Sequence, residues 1–271
     1  MTKRQGFRAG VFFVLLGMVL SSVIRVFGLP LERDTWNITR FNEFYEAPKN
    51  TWDCVIIGTS CVDRGWAAPL AWNEYGMTVY NMATGAQPII LVTGILEEVR
   101  KTQDVKLAVI DIRGARLEDL YLPESRIRRV TDAMKFSVNR QKMVKNVLDF
   151  SQAFFSCEEV RNEIGAEKAD EKLVELDGVS LYFPFLKYHS RWATGLNQTD
   201  FVKQLTDTKG AFDYDERAFQ VKTIKEPKLC TDVTEELLDI QKEVLDEILE
   251  YGEDTNLDII FISTPVSMKK L

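Results

Sequence analysis

Ser60 follows the apolar run Cys54-Val55-Ile56-Ile57 through Gly58-Thr59, an order that delivers a hydroxyl to the loop at the end of a buried strand. Parallel strands covered on both faces are written as continuous apolar runs, and open α/β sheets bind ligands at the carboxyl ends of such strands. The chemistry on offer is nucleophilic: a serine hydroxyl attacks an acyl carbon once a positioned base takes its proton. Gly58 lets the chain turn, and the residues after Ser60 could open a helix whose free N–H groups face a developing oxyanion. A purely structural turn is written with the same three residues. Cys61 is an alternative thiol nucleophile, although a small buried side chain is the commoner role. The single histidine, His189, lies in Tyr188-His189-Ser190-Arg191-Trp192, where packing is its expected role and service as a base the alternative. One histidine and four scattered cysteines offer no metal-ligand spacing, and Gly58-Thr59-Ser60 lacks the Lys-Ser/Thr of a phosphate loop, so neither a metal nor a cofactor is expected.

The elements that must position Ser60 follow from the hydrophobic pattern. Apolar runs predict strands over 54–57, 78–82 and 107–112, and over 258–265 a fourth buried strand with the loop after it. Helical patterns cover 69–75 and 88–102, with Pro88 as a first helical residue. Right-handed crossovers would make this an α/β domain with a three-layer, flavodoxin-like parallel sheet. From 113 to about 228 the strand signal gives way to charged, helix-favouring stretches such as 125–155 and 158–174. This helical insertion leaves from the edge that carries Ser60, placed either to cap the site or to serve as a packing appendage. Within it, Arg128, Arg129, Asp132 and Arg140 could line a sugar or anion groove, but a solvated helix surface with exposed ion pairs is the expected reading. An amphipathic helix over 232–251, with Leu237, Ile240, Val244, Leu245 and Ile248 on one face, returns the chain to the fourth strand.

The amino terminus has another character. Lys3, Arg4 and Arg8 precede the apolar run 9–24, Arg25 interrupts, and 26–29 resumes. That is the short limit for a spanning helix, with Arg25 able to snorkel. The basic flank predicts a cytoplasmic N-terminus, a single pass through the cell membrane and an extracytoplasmic main domain. With no small-x-small cleavage site before Leu29-Pro30, residues 1–29 read as an uncleaved signal anchor. Residues 30–52 read as a juxtamembrane connector, and 53–271 as the α/β domain. A net charge of −7 and a pI near 5.1 argue against a nucleic-acid partner. Four cysteines make no disulfide framework at this length, although Cys157 and Cys230 could pair in an oxidising exterior.

Beyond Ser60, the segments Trp72-Asn73-Glu74-Tyr75-Gly76 and Val79-Tyr80-Asn81-Met82-Ala83-Thr84-Gly85 resemble the opening of the SGNH (GDSL-type) hydrolase superfamily, most of all its membrane-anchored bacterial branch. The resemblance spans about 52–114 and implies Ser60 as nucleophile and Gly85 as an oxyanion-hole donor. The third block, Val109-Ile110-Asp111-Ile112-Arg113-Gly114, lacks the asparagine of that superfamily, leaving Arg113 or the Asn81 amide as substitutes. The fourth block, Asp-x-x-His, is absent, and the sequence stops six residues after Pro265. A chain truncated at its C-terminus, with an incomplete sheet and negligible activity, is therefore expected in preference to recruitment of His189. The resemblance implies a serine esterase or O-acyltransferase acting on acylated cell-envelope or exported polysaccharide, with a membrane O-acyltransferase as a partner. The rival expectation is a non-catalytic SGNH-like envelope protein that binds polysaccharide or that partner. A membrane-anchored structural domain would follow if Ser60 were buried without a pocket.

Overall fold

The computed structural model describes residues 2–28, 35–193, 195 and 237–263. They form a mixed α/β fold around a small parallel sheet, preceded by one long apolar helix. That helix, α1 (Lys3–Phe27), is capped by Thr2, whose hydroxyl accepts from the Gln5 amide. Its 3–24 stretch has a mean hydropathy of 2.1 and buries none of its apolar window against the rest of the protein. By length and composition it can cross a membrane.

The sheet is built from β1 (Cys54–Ile57), β2 (Val79–Asn81), β3 (Leu107–Asp111) and β4 (Asp258–Ile262), in the order β2-β1-β3-β4 and parallel throughout. Val55 stands opposite Tyr80 and Ala108, and Val109 opposite Ile260. Because side chains alternate along a strand, β1 feeds both faces. Val55 and Ile57 join the larger core with α5 (Val92–Arg100), α7 (Val138–Ser156) and α12 (Asp239–Thr255). Cys54 and Ile56 join a smaller one with Val62 of α3 (Ser60–Gly65) and Ala71 of α4 (Ala68–Tyr75). Pro88 precedes a short 3-10 turn, Ile89–Leu91, and α5 begins only after it.

Three expectations change. The segment 30–52, read as a connector, carries α2 (Thr35–Glu46), whose Phe41 and Phe44 lie in the main core. Phe44 meets Tyr80 edge-on at 5.3 Å between ring centroids. Ile38, Phe41, Phe44 and Tyr45 recur at helical spacing, and burying that stripe is what binds α2 to the sheet. The stretch 125–155 is two helices, α6 (Glu124–Thr131) and α7, and 158–174 is likewise α8 (Glu158–Ile164) and α9 (Ala166–Glu175). They pack into the core that holds the sheet, through Ile127, Val147, Phe155 and Ala169. β4, expected as buried, leaves Ile260 48% exposed, since it pairs only with β3 among the described residues.

Candidate functional site

Parallel register gathers three loops at one edge of the sheet. Ile57 pairs with Ile110 and Ile56 with Asn81, so Gly58-Thr59-Ser60, the 82–85 loop and the 111–114 turn all leave from the carboxyl edge. The chain runs from β1 outward to β2 and then crosses back to β3. The edge beyond β1 and β3 is thus a switch point, the position at which sheets of this kind open a ligand crevice.

Ser60 opens α3 and is half-buried. Thr59 caps that helix: its hydroxyl accepts from the Cys61 amide at 3.4 Å and donates to Asp111 Oδ2 at 2.8 Å. Asp111 in turn accepts from the Arg113 amide at 3.1 Å, so the loops after β1 and β3 are tied together. A Cβ on Gly58 would stand 2.5 Å from the Asp111 Cβ, a close approach only glycine permits. On the other side the Thr84 amide donates to the Gly58 carbonyl at 3.0 Å, bringing Gly85 to the same edge as Ser60. The Gly85 carbonyl accepts from Arg129 Nη1 at 2.5 Å.

The two proposed oxyanion substitutes have other partners. The buried Asn81 amide donates to the Asp63 carbonyl at 3.4 Å and accepts from the Ala83 amide at 2.9 Å, bracing the path to Gly85. Arg113 donates to Cys61 Sγ at 2.6 Å, one residue from the serine. His189 is exposed on the turn His189–Ala193; its Nδ1 lies 2.9 Å from the Leu186 carbonyl and its ring 5.9 Å from that of Phe185. Both contacts are local.

Sequence reasoning missed Arg40. From α2 this buried guanidinium pairs with Asp63 Oδ1 at 2.5 Å and donates to the Ala83 carbonyl. Burial pushes the Asp63 carboxyl above the ordinary carboxylate value, with Arg40 pulling against it. Nothing in the pattern of 30–52 marks Arg40, because burial of a charge is decided by tertiary partners.

The solvated-surface expectation for 128–140 is corrected. Arg128, Asp132 and Arg140 are buried and form an ion cluster. Arg128 pairs with Glu124 at 2.6 Å and Asp132 at 3.2 Å, while Arg140 reaches Asp132 at 3.4 Å and the Leu181 carbonyl of α10 (Gly178–Tyr182) at 2.9 Å. Tyr188, on α11 (Phe185–Tyr188), donates to Asp132 at 2.8 Å. Burial, against Arg128, raises the Asp132 carboxyl; burial and Asp132 together hold the Tyr188 hydroxyl far above its ordinary range. Asn37, Arg128, Arg129, Asp132 and Tyr188 line a small cleft above α6.

Burial pushes the Cys54 thiol up to about 12, and Cys61 and Cys157 are free. Cys230 lies outside the described residues. Among those residues no group of three or more His, Cys, Asp or Glu is arranged to hold a metal ion. Compared with known proteins, the chain matches no family model, no curated protein and no solved structure.

Proposed function

We propose that the chain is a membrane-anchored, extracytoplasmic serine esterase or O-acyltransferase of SGNH type, acting on acylated cell-envelope or exported polysaccharide through an acyl-Ser60 intermediate. The observation that carries this reading is the address of Ser60: first residue of a helix, half-buried, at the β1/β3 switch point, with the Gly85 loop tied to the same edge. The β2-β1-β3-β4 order supports a three-layer, flavodoxin-like sheet. In the proposed reaction Ser60 Oγ attacks the acyl carbon, and the Ser60 and Gly85 amides with the Arg113 guanidinium stabilise the oxyanion. The glycan hydroxyl leaves, and water or another glycan hydroxyl then takes the acyl group. Proton removal from Ser60 needs a base.

The contacts of His189 are local, so among the described residues the base is the weak link. Aryl acetate turnover by this chain should therefore be close to background and rise when imidazole is supplied, and Ser60→Ala should abolish the protein-dependent part of the rise. A protein-dependent rise that survives Ser60→Ala would remove the mechanism. A second reading, a non-catalytic envelope protein holding polysaccharide or a membrane O-acyltransferase, is favoured by one observation: Asn81 and Asp111 already bond to neighbouring backbone and side chains. It expects retention of an acetylated polysaccharide, without turnover, that Ser60→Ala leaves unchanged.

A further inference from the structure

Among the described residues, a short segment of the domain holds the C-terminal end of α1. The Arg191 guanidinium, buried, donates to the Val26 carbonyl at 3.2 Å, and α1 packs against both α11 and the His189–Ala193 turn. Three large apolar side chains flank that contact and stay exposed: Phe183 at 54%, Leu186 at 47% and Trp192 at 70%. Single exposed apolar residues are ordinary. Three within ten residues, beside the end of a helix suited to span a bilayer, are placed where aromatic side chains partition into the headgroup region.

The same segment leads to the serine's edge. Tyr188 bonds Asp132 of the buried ion cluster, and the Arg128 guanidinium lies over the Tyr188 ring at 5.6 Å and donates to the Ser180 carbonyl. Arg129, the next residue on α6, holds the Gly85 carbonyl. One chain of contacts thus runs from the end of α1 to the Gly85 loop.

We infer that Phe183, Leu186 and Trp192 form a foot on the lipid–water interface where α1 leaves the bilayer, turning the carboxyl edge of the sheet, with Ser60, toward the membrane. The inference rests on the membrane-anchored part of the function proposed above. It makes the domain a surface-seated one whose substrate arrives along the membrane.

The test is photocrosslinking of the full chain in nanodiscs of phosphatidylcholine and phosphatidylglycerol, one of them radiolabelled. Benzoylphenylalanine is introduced singly at Phe13, Phe183, Trp192 and Tyr75, the last exposed at the opposite, amino-terminal edge of the sheet where α4 leads into β2. Each change exchanges one exposed aromatic side chain, and a thermal melt of each variant confirms its fold. Lipid adducts are expected at positions 13, 183 and 192 and not at 75. Adducts at 13 without adducts at 183 and 192, or adducts at 75 equal to those at 183, would overturn the foot and leave the anchor standing. No adduct at 13 would remove the anchor and the foot with it.

Discussion

Arg40 reaches from α2 to two points on the serine's edge, the Asp63 carboxylate on α3 and the Ala83 carbonyl on the path to Gly85. Removing one partner of a buried pair leaves the other charge unpaired, so Asp63→Ala should cost about 3–5 kcal/mol in denaturant unfolding, and Arg40→Met with Asp63→Leu together should cost less. A second prediction concerns alkali. Burial holds the Tyr45, Tyr80 and Tyr188 hydroxyls above the ordinary 10.0. Their folded pKa values are raised, so their contribution is fully present below pH 10 and is lost as pH rises beyond it, when the unfolded chain ionises first. The thermal midpoint should fall steeply above pH 10. Tyr80→Phe should shallow that fall while losing about 1 kcal/mol at neutral pH with its bond to the Arg40 carbonyl. The place of Ser60 at the end of β1 was legible as sequence because strand ends announce themselves by where apolar runs stop, whereas Gly85 came only from the family resemblance. Arg40, Asp63 and the bond of Arg129 to Gly85 were not legible, since their partners stand far away in the chain.

Strands were the easiest elements to read: the runs at 54–57 and 107–112 became β1 and β3 with at most one residue of difference. The apolar stripe of α2 hid behind interleaved polar residues, and its burial depends on Tyr80, itself packed against Trp52, being in place to receive it. Phe44→Ala should therefore behave as a core truncation, costing about 3–5 kcal/mol in denaturant unfolding. At the junction of β1 and α3 the limit is space. Gly58→Ala would drive a methyl into Asp111 and force the β1 and β3 loops apart, with an expected loss of about 1–3 kcal/mol, read as a lower urea midpoint. An unchanged midpoint would mean that the crevice is loose.

At the largest scale, one line of contacts runs from the C-terminal end of α1 through Arg191, Tyr188 and the buried ion cluster to the Gly85 loop, at the edge that carries Ser60. The sequence pattern indicated a long apolar N-terminal helix and a parallel sheet but not their connection, because Arg191 and Val26 are 165 residues apart. The most direct test of the central claim is covalent. The full chain in nanodiscs is incubated with an aryl acetate and imidazole, quenched in acid and digested, and the peptide carrying Ser60 is analysed by mass spectrometry. An acetyl group is expected to accumulate on Ser60 faster than on Ser137 or Ser190, and faster in the folded protein than in the same chain unfolded in urea. Acetylation of Ser60 no faster than that of the other serines, or equal in the unfolded chain, would contradict the claim.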